Sequence, residues 1–267
     1  MRAEPYLDNR GKLKMVKVAI VGCNGKMGYF VAASVESDPN TQTVFGVDAY
    51  GESKHDFPVY RSFDEAQEKP DVIIDFSNPS ALDGMLGYAV KHSVPCVICT
   101  TGYSAEQVAQ IKKASESIAV FYSGNMSLGI NLLIELAKQA AKVLGDTFDI
   151  EIVEKHHNLK VDAPSGTALM IADGISETLA QEPQYVFERR SYRKKRDKNE
   201  IGIHSVRGGT IVGEHEVIFA GHDEVVTLTH QAQSKEVFAA GAVNAAVFLA
   251  KQPAGMYDMG SLLSSKF

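Results

Sequence analysis

Tryptophan is absent from the chain, and cysteine occurs only three times, at positions 23, 96 and 99. An odd cysteine count without framework spacing excludes a disulfide-stapled secreted domain and points to a reducing, cytoplasmic setting. The C-x-x-C pair in CVIC (96–99) has the spacing of a redox or zinc half-site. Val97 and Ile98 are β-branched, however, and SVPCVICTTG reads as a buried strand, so these cysteines are expected to be small buried apolar residues. No apolar run approaches the ~18 residues of a membrane span. A net charge of −6 supplies no field that would attract nucleic acid or acidic membranes. The opening stretch MRAEPYLDNRGKLKM lacks the apolar core of a secretory signal and reads as a loosely attached extension. Internal repeats and low-complexity tracts are missing too.

What is present is an ordinary globular composition, 45% hydrophobic and 22% charged, over 267 residues, enough for one large or two modest domains. The first half alternates apolar strands (15–22, 41–48, 70–77, 94–102, 118–123) with helical patterns (25–37, 80–92, 104–117). That alternation predicts a parallel sheet covered on both faces, with ligands at the carboxyl ends of its strands. The second half changes character. A long amphipathic helix (127–145, ended by Gly145) precedes a strand running into EKHH. A helix over 165–180 follows, with Ser165 or Thr167 available as its N-cap, then strands over 200–207, 210–221 and 224–232 with one wet face, then a last helix over 234–252. The basic run RRSYRKKRDKNE (189–200) would alone suit nucleic acid, but with Tyr192 its one aromatic and acids close behind it reads better as a solvated loop before a strand; attraction of an acidic substrate by one of its arginines is a weaker option.

VAIVGCNGKMG (18–28) joins a strand to a helix, and Gly22, Gly25 and Gly28 fall at G-x-x-G-x-x-G spacing. Glycines let the backbone turn tightly and approach a pyrophosphate, which then sits on the helix N-terminus. Asp48 ends the second strand about 20 residues on, where a carboxylate holds a ribose 2′-hydroxyl. It would repel a 2′-phosphate, and Ala49 supplies no base next to it, although Lys26 and Lys54 offer charge elsewhere. NADH is therefore expected to serve at least as well as NADPH. CTTGYS (99–104) and SGNMS (123–127) lie on the same predicted edge, where ordinary turn chemistry would explain them equally well.

EKHHNLKVDAPSGTA (154–168) crowds two histidines, a lysine and a Ser-Gly-Thr helix start into fifteen positions. Adjacent His156 and His157 diverge on an extended chain, the H-E-x-x-H spacing is absent, and His204, His215, His222 and His230 are scattered, so no metal site is expected. Acid–base chemistry fits better: histidine titrates near neutrality, lysine donates or pairs with carboxylates, and a helix start binds anions. A helix cap flanked by surface histidines is the plainer alternative.

This stretch resembles the E-x-H-H-x-x-K-x-D-A-P-S-G-T-A signature of the dihydrodipicolinate (4-hydroxy-tetrahydrodipicolinate) reductase family. VGCNGKMG, TTG, GNMSLGIN, VRGGTIVGEHEVIF and GMYDM resemble further motifs of that family, over about residues 15–260. The resemblance implies NAD(P)H-dependent reduction, coupled to protonation, in the diaminopimelate route to L-lysine. It implies an α/β fold, with a Rossmann-like dinucleotide domain (1–126 and 233–267) and an α+β substrate and oligomerisation domain with an open mixed sheet (127–232). Hinges between them would permit closure. It further implies a dicarboxylate substrate and a homotetramer. By the same resemblance His156 and Lys160 are catalytic, and His157, Lys160, Gly166 and Thr167 meet the substrate. The cofactor would meet Gly22, Cys23, Asn24, Gly25, Lys26, Met27, Asp48, Cys99, Thr100, Thr101, Ser123, Gly124, Asn125 and Met126. Arg207 is a further candidate near the substrate or a subunit contact. Two departures stand out: Cys99 where many members carry glycine, and Ala49 where some carry arginine. The rival of the same broad class is another two-domain dehydrogenase acting on a sugar or a semialdehyde; the semialdehyde enzyme needs a nucleophilic cysteine in its substrate domain, and all three cysteines lie in the first. A non-catalytic dinucleotide sensor would have no need of His156 and Lys160.

Overall fold

The computed structural model of the chain describes residues 15–50 and 55–265; the N-terminal extension and Lys54 lie outside the described residues. The chain forms two compact units, one of residues up to Ser127 together with Lys235 onward, the other Leu128–Ser234.

The first unit begins with β1 (Val16–Val21), α1 (Lys26–Ser37), β2 (Thr41–Val47), β3 (Val59–Tyr60), β4 (Val72–Asp75), α2 (Leu82–His92), β5 (Cys96–Ile98), α3 (Ala105–Ala114) and β6 (Ala119–Tyr122). The second unit holds α4 (Leu128–Leu144), β7 (Asp149–His156), α5 (Gly166–Ser176), β8 (Gln184–Val186), β9 (Glu200–Arg207), β10 (Gly213–Ala220) and β11 (Val225–Ala232). The chain then returns to the first unit through α6 (Glu236–Leu249), β12 (Gly255–Tyr257) and α7 (Met259–Ser264).

The first sheet runs β12-β6-β5-β4-β1-β2-β3 with every pair parallel. Its strands are apolar on both faces: Val18, Ile20, Ile73, Ile74, Val97, Ile98, Val120 and Phe121 are all fully buried. Each such side chain contributes ~1.5–3 kcal/mol relative to exposure. Helix α6 packs near β4, β5, β6 and α1 through a surface of alanine and glycine. Small residues let it come close: a Cβ on Gly241 would sit 1.7 Å from the Met126 carbonyl oxygen.

The second sheet runs β11-β10-β7-β9-β8 and is mixed: β10 is antiparallel to β11 and β7, whereas β7–β9 and β8–β9 are parallel. One face buries Ile150, Ile152, Ile201, Ile203, Val217 and Phe219 against α4 and α5. Both sheets match the architecture expected from the pattern of apolar runs. Three strands were not foreseen, β3, β8 and β12. Each has only two or three residues, too few to show a period, and exists because a neighbouring strand offers a hydrogen-bonding edge.

The basic run is an exposed loop leading into β9, as expected, but two of its arginines are tied down. Arg189 bonds Glu200 (2.7 Å) and Glu151 (2.9 Å). Arg196 bonds Asp149 and Glu151 (2.9 Å each) and the Ile150 carbonyl (3.1 Å). The outer face of β7 is acidic, and this loop folds over it to offset that charge.

The glycines give a direct check on the packing. Gly241→Ala is expected to lower stability by ~1–3 kcal/mol or more, as overpacking does. Gly87, inside α2 with open space where a Cβ would stand, is the counterpart. Gly87→Ala should raise stability by ~0.4–1 kcal/mol in urea unfolding, because the unfolded chain loses freedom.

Candidate active site

Two groups of side chains gather, one in each unit. In the first, the glycine loop follows β1. Gly22 takes φ +77°, and its Cβ would lie 2.6 Å from the Phe76 carbonyl oxygen. Gly28 lets α1 close down: a Cβ there would meet the Gly22 carbonyl oxygen at 2.2 Å. Gly25 is the N-cap of α1, no side chain caps that helix, and its first turn carries no acid. The N–H groups that open this 12-residue helix are thus left to an anion, which suits a pyrophosphate.

Asp48, just past β2, ties this loop down. Its Oδ2 accepts from the Asn24 N–H and its Oδ1 from the Tyr50 N–H, both at 2.9 Å. Asn24 Nδ2 donates to the Tyr50 carbonyl at 2.9 Å. Gly25 and Lys26 are exposed, and Met27 is half-buried. The Cys23 side chain turns inward under Gly46, and burial pushes its thiol up to about 12, so only its backbone faces outward chemistry.

At the ends of β4 and β5 a buried carboxyl organises the next loops. Asp75 is 1% exposed and accepts from Tyr103 Oη at 3.0 Å and from the Ser77 N–H and hydroxyl. Burial raises its pKa. Ser77 N–H donates to Thr100 Oγ1 at 2.9 Å, and Thr100 is buried. Thr101 and Gly102 are exposed, the latter at φ +84°. Cys99 is buried, and burial followed by the nearby Asp75 charge pushes its thiol well up. After β6, Ser123 Oγ donates to the Asn125 carbonyl (2.9 Å), and Asn125 Oδ1 accepts from the Ser127 N–H (2.9 Å). Asn125 and Met126 are buried, whereas Gly124 is exposed.

In the second unit, strand register builds the site. On the face toward α4 and α5, one cross-strand row holds Arg207, His156, Gly213 and Ala232; the next holds Ser205, Glu154, His215 and His230. Below them the rows are apolar. A polar end is thus grafted on an aliphatic core by the two-residue period of strands.

Glu154 is the centre of this end. It is fully buried, and Arg207 grips both its oxygens at 2.7 Å. Oε2 also meets His156 Nδ1 at 2.6 Å, and Oε1 accepts from the Ser165 N–H at 3.1 Å. Burial works against its charge. Hydrogen bonds from Arg207, Ser205 and His156 outweigh that and hold the carboxyl down at about 2. A charged carboxylate only accepts, so His156 carries its hydrogen on Nδ1 and leaves Nε2 for other partners. That nitrogen lies beside Gly213, where a Cβ would come within 3.1 Å. Burial lowers the His156 pKa, with Glu154 opposing.

The segment after β7 is pinned on both sides. Gly208 N–H donates to the His156 carbonyl at 2.9 Å, and Arg207 also donates to the Asp162 carbonyl at 2.7 Å. Lys160 Nζ pairs with Asp162 at 2.8 Å. His157 Nδ1 is buried with no partner among the described residues. A cis Ala163–Pro164 bond leads into Ser165, which proves to be the N-cap of α5: its Oγ accepts from the Ala168 N–H at 3.1 Å. Gly166 is exposed at the helix start, and Thr167 is half-buried.

Three participants escape local reading. Glu154 looks like one more strand residue, and Arg207 proves committed to it. His215, read as scattered, stacks edge-on against His156 with ring centroids 5.2 Å apart. Its Nε2 lies 3.0 Å from Ser165 Oγ. Burial, then His156, pushes His215 down to about 4.

A histidine kept neutral in the fold lowers stability as pH falls. The unfolded chain gains a proton below about 6.5, and the folded chain only near about 4. Between pH 6.5 and 5 this removes about 2 kcal/mol. Urea unfolding at both pH values should show that loss shrinking by a similar amount in His215→Gln. An undiminished loss would mean His215 is not buried neutral. Glu154 acts in a lower window, its contribution fading from about pH 4.5 toward 2.

The dihydrodipicolinate reductase family models match the chain twice, the N-terminal one over residues 16–126 and the C-terminal one over 129–263. A 4-hydroxy-tetrahydrodipicolinate reductase of Caldanaerobacter subterraneus subsp. tengcongensis is 53% identical over 249 residues, 93% of this chain and 98% of that protein. One from Clostridium tetani is 47% identical, covering 94% and 98%. Among solved structures, a dipicolinate-bound dihydrodipicolinate reductase from Paenisporosarcina sp. TG-14 superposes with a TM-score of 0.76 at 26% identity, covering 91% of this chain and 97% of that one. With both halves matched and relatives this similar over nearly their whole length, the chain belongs to the dihydrodipicolinate reductase family.

Proposed function

We propose that His156 and Lys160 carry the proton chemistry of this enzyme, an oxidoreductase that reduces 4-hydroxy-tetrahydrodipicolinate to tetrahydrodipicolinate with NAD(P)H in the diaminopimelate route to L-lysine. Net, a hydride and a proton enter and the 4-hydroxyl leaves as water. When bound, the nicotinamide supplies the hydride. The observation that carries the residue assignment is the 2.6 Å contact between His156 Nδ1 and buried Glu154. It fixes the imidazole's tautomer and orientation and leaves Nε2, beside Gly213, clear of the carboxylate. Burial favours the neutral ring, so a proton placed on Nε2 is readily given up.

Lys160 is the second donor, and its ammonium exchanges Asp162 for a substrate carboxylate. His157, Gly166 and Thr167 hold the dicarboxylate, with the start of α5 as the anion site. The dicarboxylate is inferred from the reaction and from the dipicolinate held by the Paenisporosarcina relative. In the first unit, the loop Gly22 to Met27, Asp48, and the segments Cys99 to Thr101 and Ser123 to Met126 take the dinucleotide. Cys23, Cys99 and Met126 act there through backbone, since their side chains are buried. The first unit is thus the dinucleotide domain, and the second the substrate and oligomerisation domain.

The enzyme works in the cytoplasm as a homotetramer joined through the second unit's sheet. Exposed Val206 (45%) and Val225 (62%) on its outer face support that arrangement. Light scattering should give the mass of four 29.0 kDa chains; a monomer at micromolar concentration would contradict it. Lys160→Ala and His156→Ala should each lose roughly 10²-fold or more in kcat, as removal of a general acid does, while NADH still binds. Glu154→Gln should lower kcat and move the alkaline limb of the pH profile downward, because His156 loses the charge that supports its protonated form. Unchanged rates in all three would refute the assigned roles.

A further inference from the structure

Strand β2 is followed by Asp48 and Ala49, so the chain itself places no base beside the acid. The structure brings one from elsewhere. Strand β3 pairs in parallel with β2, Val47 opposite Tyr60, and the Asp48 N–H donates to the Tyr60 carbonyl at 2.9 Å. Continuing that register by one residue sets Arg61 alongside Asp48, both at the carboxyl end of the sheet. A cavity of about 240 Å³ opens there, lined by Gly22, Asp48, Tyr50, Arg61, Asn78 and Ser80 among others. Asp48 and Arg61 are the charged side chains of that lining. Arg61 is exposed and makes no ion pair or hydrogen bond among the described residues.

We propose that Arg61 is a cofactor-specificity residue: it meets the 2′-phosphate of NADPH, while Asp48 meets the ribose hydroxyls of NADH. The proposal rests on the dinucleotide reading of the first unit. Each Asp48 oxygen already accepts one backbone N–H, which holds the carboxylate in place and leaves a further lone pair for a hydroxyl. The same carboxylate repels a phosphate. A guanidinium beside it offsets that repulsion, and its planar fork matches phosphate oxygens two at a time. One cavity thus accommodates both cofactors, with the basic residue carried by the neighbouring strand rather than by the position after the acid.

The test is equilibrium binding of NADPH and NADH to the full-length enzyme without substrate, followed by nucleotide fluorescence. Wild type, Arg61→Ser, Arg61→Lys and Lys54→Ser are compared, with thermal unfolding checking that each variant is folded. The expected result is that Arg61→Ser weakens NADPH by about 10-fold or more, the scale of a charge-assisted contact. NADH should change by less than about 3-fold, Arg61→Lys should recover part of the loss, and Lys54→Ser should leave the ratio of the two affinities alone. Equal weakening of both nucleotides, or an NADPH affinity that follows Lys54 instead, would overturn the role of Arg61. Failure of wild type to bind either nucleotide would overturn the dinucleotide reading itself.

Discussion

A buried carboxylate held by an arginine is the constraint on which the second unit depends. Glu154 has no access to water, and an isolated carboxylate there would be too costly to keep charged. The two-point grip of Arg207, with the Ser165 N–H and His156, makes the charge tolerable. The same bonds fix three things at once. They set the His156 ring, the entry of the chain into α5, and, through the second Arg207 bond to the Asp162 carbonyl, the segment that carries Lys160. Replacing this pair by apolar side chains of equal volume could preserve the fold. It would leave His156 without an orienting partner, so the charge is better understood as a device of chemistry than of stability.

The neighbouring row extends the logic. His215 shares the core face with Glu154 and is opposite it in register. Its Nε2 meets the Ser165 hydroxyl that caps α5, and by staying neutral it avoids placing a second charge against His156. Gly213 contributes through absence, since a side chain there would crowd His156 Nε2. Strand period and strand pairing therefore place acid, base and open space within two adjacent rows, and the α5 cap meets them from the following helix. The first unit uses a related device: buried Asp75 gathers Ser77, Thr100 and Tyr103 at the ends of neighbouring strands.

Much of this was legible in the sequence where the signal is local. Continuous apolar strands alternating with helices pointed to the parallel sheet, and the glycine spacing before α1 marked the loop whose helix start is uncapped. The crowded stretch 154–168 marked the polar segment after β7. What stayed hidden depends on pairing between distant residues. Nothing near Glu154 reveals that it is buried, because its partner Arg207 is 53 positions away. His215 reads as one of several scattered histidines until β10 sets it against β7. Arg61 carries no local signal because the two-residue strand that delivers it has no pattern of its own. Within the exposed basic run, the ties of Arg189 and Arg196 stayed hidden for the same reason: their acidic partners on β7 lie about 40 residues earlier.

Nitrogen-15 NMR of histidine-labelled enzyme, with pH titration of the His156 resonances, tests the Glu154–His156 pair most directly. The account predicts a neutral ring protonated at Nδ1, titrating below the ordinary histidine value of about 6.5, with that tautomer preference lost in Glu154→Gln. A ring protonated at Nε2, or a preference indifferent to Glu154, would contradict it.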